Sequence, residues 1–460
     1  MRIVLLGLAV LAAALPSVSA KIAATHRCQA TKLLVAAQYN LCRAQADARA
    51  ARSGAAAVYG RCDQRFLKQW ARAEKRAAGA CLTTGDEDDV QLATARYSET
   101  VAASLGTPPL GSSCSTASIP FSYSYMITNR AKPFATSRAD IVPTAPGTLA
   151  FFTAPGAYQS QNPMANYVEV TQDVFLERLK ADLAKATGSG SLHLGVYVHG
   201  LGNYLTDAMT ETAQFGCNLA VTGGYPGLLI GFSWPSYGVF ESGYYYATEG
   251  PPPPPLTPQR SGTIRDNILG SRSSFAAMVK LLEDQVIAGS RTPVELSFLT
   301  HSEGNYMLMV GMNTVDPVPH VQHCLMLAAD ISSVSLQQGE QGQAIADACA
   351  NVTVYYSGAD ETIASSDYEF FQYHRQDYST RLGLVGPHYL PDPAPLSVNV
   401  TGVDCSRVTQ YPAVFSIVDV HSSYLSIAQI LTDQTQTMLG QGFTKRSPIG
   451  GTTQGFRLQP

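Results

Sequence analysis

The chain has 460 residues, of which 14% are charged, and its formal net charge is −4. That length suffices for one large domain and a small one. So weak a charge balance argues against nucleic acid as the main partner.

Residues 1–20 carry the marks of a secretory signal. Arg2 precedes an apolar core at 3–15, and Val18-Ser19-Ala20 forms a small-residue cleavage site. The apolar core is too short to span a bilayer, and no later stretch is apolar for long enough to do so. No cysteine follows the expected cut after Ala20, so no lipid anchor is expected there. The mature protein is therefore expected to be secreted or periplasmic.

A small helical module is expected at 21–106, ending in a Pro/Gly/Ser linker at 107–118. Within 21–81 there are 12 Lys and Arg against three acids. Two helices are predicted at 24–51 and 56–78, broken at Ser53-Gly54. Cys28 and Cys42 lie close to four turns apart, so they share a face, and Cys62, Phe66 and Trp70 form a stripe on the second helix. Antiparallel packing predicts nested disulfides, Cys42 to Cys62 and Cys28 to Cys81, each contributing about 2–4 kcal/mol. The basic face reads as solvated, with an anionic envelope surface as the alternative. Nine cysteines suit an oxidising compartment, and the odd total leaves at least one thiol outside an intramolecular bridge. The acidic run Asp86–Asp89 lacks the spacing of a calcium loop and reads as the start of a short helix at 90–105.

From residue 119 to the end, strands and helices alternate. Strands are predicted at 121–128, 148–153, 193–198, 228–233, 294–299, 322–328, 352–357 and 414–418. Helices are predicted at 174–183, 205–215, 267–287 and 422–438. This alternation implies an α/β domain, a largely parallel sheet flanked by helices. An aromatic insertion at 234–260, with Tyr237, Phe240, Tyr244 to Tyr246 and the polyproline run at 251–255, is either a substrate-contacting lid or ordinary packing.

The chemistry centres on Thr300-His301-Ser302-Glu303-Gly304, which joins an apolar strand to a helical pattern. Such a turn lifts a serine hydroxyl above the sheet and aims the next N–H at a developing oxyanion. A serine so placed needs a base and an acid. Asp360 follows the strand two beyond the elbow, and His421 follows the next apolar segment, giving the order Ser302, Asp360, His421 of the α/β-hydrolase fold. His199-Gly200-Leu201 leaves a central strand where the first oxyanion loop belongs, so the N–H groups of Leu201 and Glu303 are the expected donors. Asp330 is the rival acid and His388 the rival base. His320, His323 and Cys324 feed directly into a strand without further ligand spacing, which argues against a metal.

Residues 121–440 resemble the α/β-hydrolases of bacteria known as the DUF900 family. The matching pieces are Ile127-Thr-Asn-Arg130, Tyr197-Val-His-Gly-Leu201, Phe232-Ser-Trp-Pro-Ser236, Arg265-Asp266 with Ser274, His301-Ser302-Glu303-Gly304-Asn305, Asp360-Glu361 with Ser365, and Arg381-Leu-Gly383. The resemblance implies a hydrolase fold and a triad of Ser302, Asp360 and His421, and it implies no substrate. Thr300 replaces the small residue usual two places before the nucleophile, and its branched side chain is expected to crowd the neighbouring strand. Glu303 replaces the usual Met, which is expected to disfavour anionic substrates.

The reading is an exported serine hydrolase that cleaves carboxylic esters or thioesters through an acyl-enzyme, without metal or organic cofactor. A lipase or phospholipase with a lid, a peptidase, and a non-catalytic binding or envelope-associated protein are the alternatives.

Overall fold

In a computed structural model, the described residues are single helical positions between 28 and 46, then 60–77, 81, 119–132, 145–158, 163–186, 190–236, 264–364, 366, 380–387, 395–409, 417–443, 445–450 and 454–459. The signal segment, the acidic run, the helix at 90–105, the linker, residues 237–260 of the aromatic insertion, Cys114 and His388 lie outside them. The chain divides into two compact units, residues 1–112 with 411–416, and 113–410 with 417–460.

The first unit contains a helix, α1 (Gly60–Ala77). Cys62, Phe66, Trp70 and Ala73 recur every three or four residues along α1 and are buried. Cys62, Phe66 and Trp70 form one core with Val35, Ala36 and Tyr39. The nested disulfides are present, Cys28 to Cys81 and Cys42 to Cys62. So small a core gains from such cross-links, because they shrink the conformational freedom of the unfolded chain.

The second unit is built on one eleven-stranded sheet. In chain order its elements are β1 (Tyr123–Thr128), β2 (Ala150–Pro155), β3 (Val168–Val170), α2 (Gln172–Leu183), β4 (Leu192–Val198), α3 (Leu205–Asn218) and β5 (Leu228–Ser233). There follow α4 (Ile264–Leu282), β6 (Val294–His301), α5 (Gly304–Met312), β7 (Val321–Leu327), β8 (Cys349–Tyr356) and β9 (Val400–Asp404). The last are α6 (Ile417–Ser422), α7 (Ala428–Met438), β10 (Arg446–Pro448) and β11 (Gly455–Leu458).

The strand order is β10-β11-β9-β8-β7-β6-β4-β5-β1-β2-β3. Every pairing from β1 across to β11 is parallel, and antiparallel strands flank this block at both ends. Central strands buried on both faces read as continuous apolar runs, as β5 does up to Ser233, whereas β6 is almost wholly buried although it carries Glu295, Ser297, Thr300 and His301. The main core gathers around them, including Phe232, Phe275, Phe298 and Met309. Cys324 of β7 is bonded to Cys349 at the start of β8, so this thiol is not a metal ligand. Cys217 is also disulfide-bonded, and Cys405 is a buried free thiol. Among the described residues no helix is long and apolar enough to cross a membrane.

One predicted strand is corrected. Residues 417–420, expected to belong to or follow a strand at 414–418, form the start of α6, and the slot beside β8 is filled by β9. The valine-rich segment has the higher strand propensity, whereas β9 carries Gly402 in its middle, which weakens the pattern. Position in the sheet, not local propensity, decides between them.

Candidate active site

The loops that leave the C-terminal ends of β4, β6, β7 and β8 meet at one edge of the sheet, the end where open α/β sheets bind ligands. Ser302 sits in the turn between β6 and α5 with φ of +55°, one of three non-glycine residues in the left-handed region among the described residues. That conformation costs about 1–2 kcal/mol for a residue with a Cβ, so the neighbours must hold it. Ser302 N–H donates to the Leu327 carbonyl at 2.9 Å, and the Ser302 carbonyl accepts from the N–H groups of Asn305 (3.1 Å) and Asp330 (3.3 Å). The Asn305 amide lies 2.9 Å from the same carbonyl and 3.2 Å from those of Thr300 and Leu327. Thr300 donates its hydroxyl to Asn305 Oδ1 at 2.6 Å. That hydroxyl adds one more hydrogen bond inside the turn.

Close approach of two backbones completes the turn. A Cβ on Gly304 would lie 2.4 Å from the Val198 carbonyl oxygen and 2.7 Å from that of His199, so only glycine fits there. On Gly200 a Cβ would lie 2.8 Å from Ser302 Cβ and 3.4 Å from its Oγ. The loop that carries Gly200 and Leu201 therefore runs directly beside the serine.

His421 is on α6, and its Nδ1–H donates to Asp360 Oδ2 at 3.0 Å. Asp360 is wholly buried, and its other oxygen accepts the Ile363 N–H at 3.0 Å. A proton fixed on Nδ1 leaves the lone pair on Nε2, the form a general base requires. Asp330 is engaged elsewhere, ion-paired with Arg381 at 3.2 Å and accepting the Ser366 hydroxyl at 2.5 Å. No hydrogen bond joins Ser302 to His421 among the described residues; His301, the residue before Ser302, makes the link. Its Nε2–H donates to the His421 carbonyl at 2.8 Å, and the two rings lie 4.7 Å apart between centroids.

The comparisons with known proteins bear on this geometry. Residues 175–438 match the family described as alpha/beta hydrolase of unknown function (DUF900). The chain belongs to that family. No curated protein matches. Among solved structures, an uncharacterised protein from Capnocytophaga ochracea is 13% identical with a TM-score of 0.29, over 58% of this chain and 59% of that one. This chain thus spans about three fifths of that protein's length. A phosphonate-inhibited esterase B from Lactobacillus rhamnosis is 8% identical with a TM-score of 0.28, over 78% of this chain and 100% of that one. Likenesses this slight carry nothing about the chemistry.

Several residues quoted for the resemblance brace the β4 loop. His199 is buried and stacked on Trp234, with centroids 5.8 Å apart. Its Nδ1–H donates to the Gly200 carbonyl at 2.8 Å, so Nε2 accepts from the Ser233 hydroxyl (3.1 Å) and the Trp234 N–H (3.3 Å). Burial, with the Arg130 guanidinium close by, pushes its pKa down to about 3 and keeps the ring neutral. Arg130 donates to Ser233 Oγ at 2.9 Å and to the Asn203 carbonyl at 2.8 Å. Ser236 accepts the Asn203 N–H at 3.0 Å, and its carbonyl accepts the Gly202 N–H at 3.0 Å. Phe-Ser-Trp-Pro-Ser is thus a strap across the loop that carries Leu201.

Sequence reasoning gave no part to His301 or Glu211. Glu211 lies on α3, accepts from Tyr197 Oη and, at 2.8 Å, from Asn203 Nδ2, and comes 4.0 Å from His301 Nδ1. Burial raises the pKa of Glu211, and burial lowers that of His301 to about 3, so the pair stays uncharged more readily than either would in water. Residue 211 is some 90 positions from the elbow and sits in no motif, so no signal in the sequence marked it.

Proposed function

We propose that this α/β-hydrolase is an exported serine hydrolase that cleaves carboxylic esters or thioesters through an acyl-enzyme on Ser302. The observation that carries the reading is the 3.0 Å bond from His421 Nδ1 to a buried Asp360, beside a serine held at φ of +55°. In this reading His421 Nε2 takes the Ser302 proton as Oγ attacks the acyl carbon. The N–H groups of Leu201 and Glu303 bind the oxyanion, and His421 then returns its proton to the leaving oxygen or sulfur. Water, activated by the same imidazole, releases the acid. Substrate closes the gap between Ser302 and His421, since catalytic hydrogen bonds commonly tighten in the Michaelis complex.

Export rests on residues 1–20 and on the disulfides, which persist in oxidising compartments. The test is active-site labelling. A fluorophosphonate should modify Ser302, and Ser302→Ala and His421→Ala should abolish both labelling and hydrolysis of short p-nitrophenyl esters. Undiminished turnover in Ser302→Ala would remove the mechanism. Export is checked separately by the mature N-terminus, expected at Lys21.

A further inference from the structure

The exposed face of α1 is a basic stripe that no described residue neutralises. Arg61, Arg65, Lys68, Arg72, Lys75 and Arg76 are all exposed. At 3.6 residues per turn they fall within an arc of about 100° and run for about 22 Å along the helix. The opposite face is locked by Cys62, Phe66 and Trp70 in the core and by the Cys42–Cys62 bridge, so the orientation of the stripe is fixed.

The two acids of the helix do not answer these charges. Asp63 accepts from Tyr39 Oη at 2.5 Å and lies 3.9 Å from Arg43, and Glu74 pairs with Lys32 at 2.8 Å. Both are turned towards the residues at 32–43. None of the six cations forms an ion pair with a described residue. They also stand three or four apart from one another, as Arg61 with Arg65, Arg65 with Lys68, Lys68 with Arg72, and Arg72 with Lys75 and Arg76. Like charges at these spacings weaken a helix, so the face is kept against the interest of folding.

We propose that this stripe docks the protein on a bilayer surface bearing anionic phospholipid headgroups. Charge complementarity is the argument, together with the disulfides, which suit an oxidising compartment, where the extended polyanion at hand is lipid rather than nucleic acid. The stripe contains no apolar side chain, so binding is peripheral and reversed by salt.

Sedimentation of the full chain with phosphatidylcholine vesicles containing about 30% phosphatidylglycerol tests this. Binding is expected at low salt, with none to pure phosphatidylcholine. It should vanish in about 1 M salt, where the Debye length is about 3 Å. The variant carrying Arg65→Gln, Lys68→Gln and Arg72→Gln relieves repulsion within the helix and should fold at least as well. It should bind roughly a hundredfold more weakly. Equal binding of parent and variant, binding to neutral vesicles, or capture by duplex DNA but not by anionic vesicles would each overturn the proposal. None of these outcomes depends on the hydrolase activity.

Discussion

Replacing Asp360 by asparagine keeps the shape of the side chain and changes which imidazole nitrogen is protonated. In the parent, Oδ1 accepts the Ile363 N–H and Oδ2 accepts His421 Nδ1–H, both at 3.0 Å. A carboxamide has one acceptor oxygen. If that oxygen stays with the fixed backbone N–H, the new amide group faces His421 Nδ1 and demands a lone pair there. The proton then moves to Nε2, and the imidazole loses the ability to take a proton from Ser302. A wrong tautomer in otherwise intact geometry costs about ten-thousand-fold in kcat, or about 5.5 kcal/mol of transition-state stabilisation. The assay is hydrolysis of p-nitrophenyl butyrate, with thermal unfolding to show that the variant is folded. Asp330→Asn is the contrast. It breaks the pair with Arg381, which should cost about 3–5 kcal/mol of stability while leaving the turnover of folded molecules intact. Asp360→Asn within a factor of about ten of the parent in kcat/KM would refute the assignment, and the reverse ranking of the two variants would transfer the role to Asp330.

Gly200→Ala places a Cβ 2.8 Å from Ser302 Cβ, and kcat/KM on the same ester is expected to fall about ten- to a hundredfold as the loop is pushed off the serine. His301→Ala removes the 2.8 Å bond to the His421 carbonyl and the ring packed on its imidazole. A loss of about 1–3 kcal/mol, mainly in kcat, is expected, with partial rescue by His301→Gln, which retains a donor. Acid should destabilise the fold: burial holds His199 and His301 at about 3 and His323 at about 4, all below the ordinary 6.5. Unfolded chains bind these protons first, so stability is full above pH 6.5 and declines as pH falls towards 4. Each ring contributes up to about 1.4 kcal/mol per pH unit to that decline. A Tm that is flat between neutral pH and pH 4 would contradict the buried, neutral assignment of these rings.

Much of the scaffold was legible because its signals are local. The segments at 228–233 and 294–299 read as central strands, and the Cys62, Phe66 and Trp70 stripe marks a helix face that suits the nested disulfides. The left-handed turn at Ser302 was legible only from the joint pattern, a strand running into Ser-x-Gly and a helix with candidate Asp and His segments further on, because Ser-x-Gly alone occurs by chance in many proteins. What sequence could not decide is which of several similar segments takes a given place. The slot next to β8 went to residues 400–404, not to the valine-rich run that scores better as a strand, because sheet pairing depends on a partner that propensity does not see. The choice between Asp330 and Asp360 likewise turns on which loop faces His421, a three-dimensional relation with no local trace. The same holds for His301 and Glu211, which matter only because α3 and α6 approach the elbow. Periodicity and turn chemistry act over a few residues and so are written in the chain, whereas partnership between distant side chains exists only once the sheet has brought their loops to one edge.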